Sequence, residues 1–277
     1  MNQPCQHLKA IVFDWAGTTV DHGCCAPAIV FQKIFTDRGV EVTAAQAREP
    51  MGKAKRDHIA TVAAIPSVAA AWEAKFGKPC SEKDIDDLYS KFLPLQQQIL
   101  NDYSELIPGV VNAVNQCREW GLKIGSTTGY TQELMEVVTP AAAKQGYEPD
   151  CLFCAGDTAQ GRPAPYLLHA CAEQMGVWPM WSIVKVDDTP VGIEAGRNAG
   201  CWTVGITRTG NCVGLTLEET EKMPAETLKA LCNSAAEKLN AAGAHFILET
   251  VADLPPLIQE IEQRMAVGEL PVSFTRS

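Results

Sequence analysis

Five short apolar runs rich in β-branched residues constrain this chain more than any other feature. They are Lys9–Trp15 (KAIVFDW), Leu122–Thr128 (LKIGSTT), Cys151–Ala155 (CLFCA), Ser182–Asp188 (SIVKVDD) and Cys201–Ile206 (CWTVGI), each bounded by Gly, Pro, Asp or Thr. Runs of this length read as strands, and helical patterns at about 131–145, 164–175 and 190–199 lie between them. Strands that alternate with helices predict a parallel sheet with crossover helices, an α/β core. Residues 217–265 add helix, with His245–Glu249 a candidate edge strand.

One segment departs from this rhythm. Residues 22–102 are rich in Ala, Gln, Lys, Asp and Leu, with apolar residues at helical spacing such as Ile29, Val30 and Ile34. They predict a helical subdomain inserted after the first strand. The core is then 1–21 and 103–277, with hinges near residues 21 and 103.

Composition narrows the function. At 277 residues and 46% hydrophobic the chain can bury a sizeable core, and no apolar run approaches the ~18 residues of a membrane span. The opening Met1–Ala10 is polar and the apolar stretch behind it is short, so no signal peptide is read and the expected compartment is the cytoplasm. A net charge of -10 with no basic run argues against nucleic acid. Eleven scattered cysteines read as reduced thiols, and Cys151-x-x-Cys154 reads as part of a buried strand rather than a zinc or redox site. Trp72, Trp120, Trp178, Trp181 and Trp202 read as core or interface packing.

In open α/β sheets reactive groups gather at the carboxyl ends of the strands. Here those ends supply Asp14, then Ser126, Thr127 and Thr128, then Gly161-Arg162-Pro163, then Asp187 and Asp188. Carboxylates suit a hard divalent cation, whereas hydroxyl and guanidinium donors suit phosphoryl oxygens. Any one of these residues could instead cap a turn or bond locally, but the whole set in order points to phosphoryl chemistry.

FDWAGTTVD, GSTTGY, GRPAP and VDDTPVGIEAG resemble, in order, the four motifs of the haloacid dehalogenase superfamily. The resemblance implies a Rossmann-like parallel sheet with an inserted α-helical cap, Asp14 as nucleophile, Thr128 as phosphoryl ligand and Arg162 in place of the usual third-motif Lys. It implies Mg2+ held by Asp14, the Ala16 carbonyl, Asp187 and Asp188.

Phosphatases and mutases of that superfamily carry a second Asp two positions after the nucleophile to protonate an alcohol leaving group; here that position is Ala16. Together with Met51-Gly52-Lys53-Ala54-Lys55-Arg56-Asp57-His58, this resembles the phosphonoacetaldehyde hydrolase branch. In that branch a cap lysine forms a Schiff base, so that breaking the carbon–phosphorus bond sends its electrons into an enamine and no acid is needed. The resemblance implies that Lys55 forms the imine, that His58 and Met51 lie near the reacting groups, and that Cys24, Gly52 and Tyr130 line the site.

Some members of the branch have Gly-Asp-Thr in the fourth motif with another Asp four residues on. Here Asp187 replaces the Gly and Gly192 stands at the later position. Asp187 is therefore expected to supply the missing carboxylate and Asp188 to touch the metal directly.

The function expected from this resemblance is Mg2+-dependent hydrolysis of phosphonoacetaldehyde to acetaldehyde and phosphate, in 2-aminoethylphosphonate breakdown, by a homodimer. The alternatives are a phosphatase or sugar phosphomutase acting on a phosphate monoester, which Ala16 argues against, and a silent phosphate-binding protein.

Overall fold

The computed structural model describes residues 5–271, so the outermost ends of the expected core lie outside the described residues. Six parallel strands form one sheet in the order β3-β2-β1-β4-β5-β6. They are β1 (Ala10–Phe13), β2 (Lys123–Thr127), β3 (Cys151–Phe153), β4 (Ile183–Asp187), β5 (Trp202–Ile206) and β6 (Phe246–Leu248). The candidate edge strand at His245–Glu249 is thus β6, shortened to three residues.

The apolar runs are continuous rather than alternating because helices cover both faces of the sheet. In β1, Ile11 and Phe13 pack on one face while Ala10 and Val12 pack on the other. The helices run in chain order as α1 (Cys25–Thr36), α2 (Ala44–Arg48), α3 (Lys55–Ala63), α4 (Pro66–Phe76), α5 (Glu82–Leu100), α6 (Val110–Glu119), α7 (Gln132–Lys144), α8 (Tyr166–Met175), α9 (Pro190–Ala199), α10 (Leu217–Lys222), α11 (Ala225–Ala241) and α12 (Leu254–Ala266). Leu168, Cys171 and Ala172 of α8 and Ala195 and Ala199 of α9 cover the Ala10 and Val12 face. Val110 and Ala113 of α6 and Leu254, Ile258 and Ile261 of α12 cover the other. The helix α6 was not foreseen; its apolar positions Val110, Ala113, Val114 and Cys117 keep helical spacing, but the preceding Pro108-Gly109 reads as a loop.

Helices α1–α5 are inserted between β1 and β2 and form the cap. Their core is aromatic: Phe31 of α1 lies 4.4 Å from Phe92 of α5, and Trp72 of α4 meets Phe35 edge-on at 6.3 Å. Trp72 is 1% exposed. Trp72→Ala is therefore expected to cost about 3–5 kcal/mol, read as a lower urea midpoint with an unchanged slope. Trp120 and Trp202 are also buried, but Trp178 is 80% exposed and Trp181 37%, so of the two readings, core or interface packing, neither of these takes the core one. They sit in the α8–β4 connection, where none of the described residues covers the outer side of the turn.

The chain leaves the core through Asp21 and Cys24, both in the left-handed region with φ of 54° and 50°. Asp21 holds this bend by accepting from the amides of Cys25 and Ala26 at 2.9 and 3.0 Å, at the start of α1. Burial pushes its carboxyl up to about 7.

Candidate active site

Asp14 is the first residue beyond β1, and its amide donates to the Val186 carbonyl at 3.0 Å. The neighbouring strand β4 ends at Asp187, so pairing of the two strands brings Asp14, Asp187 and Asp188 together with carboxylate oxygens within 4.8 Å of one another, all buried. Arg162 reaches in from the connection between β3 and α8. Its Nη2 donates to Asp14 Oδ1 at 2.7 Å and to the Thr127 carbonyl at 2.6 Å, and its Nη1 lies 3.4 Å from Asp187 Oδ2.

The two adjacent aspartates differ in what faces them. Burial raises the Asp187 carboxyl, but Lys185 at 3.0 Å and Arg162 outweigh it and hold the group below its ordinary value. Among the described residues the hydrogen-bond donors to the Asp188 carboxylate are neutral, the Thr18 hydroxyl at 3.0 Å and the Asn211 amide at 2.7 Å. Burial, then the charges of Asp14 and Asp187, push it well above its ordinary value. Three buried carboxylates, one of which forms no ion pair among the described residues, make a donor set that fits a hard divalent cation. Gly192 makes room for this arrangement: a Cβ there would stand 2.0 Å from the Asp187 carboxyl carbon.

The hydroxyl cluster divides by function. Ser126 donates to the Phe13 carbonyl, and the Thr127 hydroxyl is engaged by Arg162 and Lys185, so both brace the sheet. Only Thr128 lines the pocket.

The cap supplies the opposite wall. Lys55, the first residue of α3, is 3% exposed, and its Nζ lies 4.5 Å from the Tyr130 ring centroid, 5.5 Å from that of Phe31 and 5.8 Å from that of Phe92. Burial lowers its pKa to about 8; Cys24 and Asp14 oppose this and Arg162 assists it. Lys53 and Arg56 are the cations nearest to Lys55 in sequence. The structure turns Arg56 outward onto Glu82 and Asp86 and ties Lys53 to Thr61, so neither plays the part of Arg162. Close backbone approach brings the two walls together: a Cβ on Gly52 (φ 93°) would meet Thr189 Oγ1 at 2.6 Å, and one on Gly129 would meet the Gly52 carbonyl at 3.1 Å.

Of the residues singled out in the sequence, Asp14, Ala16, Cys24, Met51, Gly52, Lys55, Thr128, Tyr130 and Arg162 line one cavity of about 20 Å3, together with Gly129 and Thr189. Asp187 and Asp188 do not line it, but their carboxylate oxygens lie within 4.8 Å of that of Asp14, which does. His58 does not line it; its ring stacks on Phe31 at 3.5 Å and its Nε2 donates to the Ala47 carbonyl at 2.8 Å. Burial and then the Lys55 charge push His58 well below its ordinary value, so it is a neutral support one turn beyond Lys55. Lys185, Thr18, Asn211, Phe31 and Phe92 were missed. Lys185 alone carried a signal, as a lysine inside an otherwise apolar strand.

A family model described as haloacid dehalogenase-like hydrolase matches residues 8–200. The phosphonoacetaldehyde hydrolase of Paraburkholderia xenovorans is 45% identical over 266 residues, covering 96% of this chain and 100% of that protein. The chain belongs to the phosphonoacetaldehyde hydrolase family of haloacid dehalogenase-like hydrolases. A crystal structure of a phosphonoacetaldehyde hydrolase like protein from Oleispira antarctica superposes with a TM-score of 0.94 at 38% identity over 98% of both chains. A bifunctional phosphonoacetaldehyde hydrolase/aminoethylphosphonate transaminase of Clostridioides difficile is 47% identical over 257 residues, which are 93% of this chain and 40% of that protein. Membership of this family places the two facing walls, carboxylate below and amine above, in a hydrolase. Among the described residues no helix is long and apolar enough to cross a membrane.

Proposed function

We propose that this chain hydrolyses phosphonoacetaldehyde to acetaldehyde and phosphate through an imine on Lys55 and a phosphoryl group carried by Asp14. The observation that carries the reading is the facing of a buried amine, its pKa lowered to about 8 by burial, and a carboxylate across one cavity in which residue 16 offers no acid. The Lys55 amine condenses with the aldehyde and releases water, leaving a protonated imine. Asp14 then attacks phosphorus, the carbon–phosphorus bond breaks, and its electron pair moves into the imine to give an enamine. Protonation at carbon and hydrolysis of the imine release acetaldehyde and free Lys55; a second water cleaves the acyl phosphate and restores Asp14. Thr128 and Arg162 offset charge on the transferring oxygens.

Asp14, Asp188 and the Ala16 carbonyl would hold Mg2+, with Asp187 as the further carboxylate; the cation supplies charge neutralisation at the phosphoryl oxygens. The neutral donors around Asp188 favour it over Asp187 as the direct ligand, since Asp187 is already balanced by Lys185 and Arg162. Asp188→Ala is expected to shift the Mg2+ titration by at least roughly tenfold or to remove activity. An unchanged titration assigns the role to Asp187.

A cavity of about 20 Å3 holds a single water and no substrate, so the cap, which we take as residues 22–102, must swing away for entry. The fusion of the Clostridioides relative to an aminoethylphosphonate transaminase supports 2-aminoethylphosphonate as the source of the aldehyde. The test is phosphate release from phosphonoacetaldehyde with and without Mg2+. Release that depends on Mg2+ supports the reading, whereas release from phosphate monoesters but not from phosphonoacetaldehyde establishes the phosphatase alternative.

A further inference from the structure

Arg48, the last residue of α2 in the cap, makes contacts that the reaction does not use. Its Nη1 donates to the carbonyls of Gly23 and Cys24 at 2.6 and 3.0 Å, in the segment by which the chain enters the cap. The same nitrogen donates to Asn211 Oδ1 at 3.2 Å, and Nη2 donates to the Gly214 carbonyl at 3.1 Å, both in the core loop after β5. The Asn211 carboxamide returns a hydrogen bond to the Arg48 carbonyl at 3.1 Å.

That loop is itself fitted to the acidic cluster. The Asn211 amide donates to Asp188 Oδ2 at 2.7 Å, and a Cβ on Gly210 would lie 2.6 Å from the Asp188 Cβ. Thr209 donates to the Gly17 carbonyl at 2.9 Å and accepts from the Gly23 amide at 2.7 Å. Gly214 (φ 70°) passes so close that a Cβ there would meet Arg48 Nε at 2.8 Å. A cationic fork carried on α2, whose partners are divided between the entry segment and the core loop, is satisfied only while the three stay together.

We propose that Arg48 is the latch that holds the cap shut, and that through Asn211 it couples closure to the placement of Asp188. It is a positioning residue, since it touches neither Asp14 nor Lys55. The latch deepens the proposed function by naming what closes the site, but it is tested on the resting protein without turnover, so its failure and the failure of the imine reading are separate results.

Cys24 reports the opening, because it lines the closed cavity and is 3% exposed. In a Cys25→Ser background, which removes the adjacent thiol but keeps an acceptor in the place of Cys25 Sγ, 3.7 Å from Arg48 Nη2, and against which every variant is compared, alkylation by iodoacetamide is followed by peptide mass mapping. Cys117 and Cys201, each 0% exposed in the core, serve as controls. Arg48→Ala is expected to speed Cys24 alkylation by at least roughly tenfold with the controls unchanged. Arg48→Lys should fall between the two, because an ammonium cannot span all the partners. Asn211→Ala should act in the same direction, and its effect should be less than additive with that of Arg48→Ala. A Cys24 rate unchanged in Arg48→Ala overturns the latch. Equal acceleration of all three cysteines also overturns it, since Arg48 would then serve the stability of the whole fold.

Discussion

Lys55→Arg is expected to lower kcat by at least about a thousandfold, because a guanidinium keeps the charge but cannot form an imine at neutral pH. Borohydride added with acetaldehyde or substrate should inactivate the wild-type protein and leave a reduced adduct on the peptide carrying Lys55. Full activity in Lys55→Arg with no adduct would end the phosphonatase reading, and an adduct on Lys53 would move the role two residues. The pH dependence has a defined sign. Only the neutral amine attacks an aldehyde, and burial lowers the Lys55 pKa to about 8, so kcat/KM should rise as pH increases through about 8 and level off above it.

The same shift bears on stability. Unfolded, the lysine keeps its proton up to about 10.5; folded, it loses it near 8, so the fold carries the cost of a buried charge in full below about 8 and sheds it as pH rises towards 10.5. Lys55→Met should therefore stabilise the protein by about 3 kcal/mol at pH 7, seen as a higher Tm, while abolishing activity. A lysine whose removal destabilised the protein at pH 7 would not be the desolvated amine described above.

Asp14→Asn is expected to abolish phosphate release, by ~10,000-fold or more, because the amide oxygen is a poor nucleophile and no other carboxylate lies on the cavity wall. The variant keeps the size of the side chain and an oxygen for Arg162 Nη2, so its Tm should stay near that of the wild type. It should still give the borohydride adduct on Lys55, since imine formation precedes the phosphoryl step and does not need Asp14. Phosphate release above a few percent of the wild-type rate would remove Asp14 from the role of nucleophile.

The linear sequence determined the sheet and the residues at its strand ends. Local composition suffices there: a buried parallel strand must be an uninterrupted apolar run, and the polar residue that ends it marks the carboxyl edge where ligands bind. The helices that follow β2, β3 and β4 were legible for the same reason, through their spacing and bounding glycines and prolines. The absence of an acid at Ala16 was likewise a one-letter fact, and it carried the distinction between alcohol and carbon leaving groups.

Tertiary structure decided which of those residues face the chemistry. Ser126, Thr127 and Thr128 are adjacent in sequence, yet only Thr128 reaches the cavity, because the Phe13 carbonyl and the Arg162 and Lys185 side chains claim the other two hydroxyls. Asp187 and Asp188 differ through Lys185, Arg162 and Thr189 on one side and Thr18 and Asn211 on the other. Arg56 lies next to Lys55 in sequence but points to solvent, while Arg162, more than a hundred residues away, is the cation that helps lower its pKa. The exposure of Trp178 and the latch between Arg48 and Asn211 belong to the same class. Which partner faces a side chain across the fold depends on distance in space, and a hydrogen bond joining residues 163 positions apart has no periodicity or local composition to announce it.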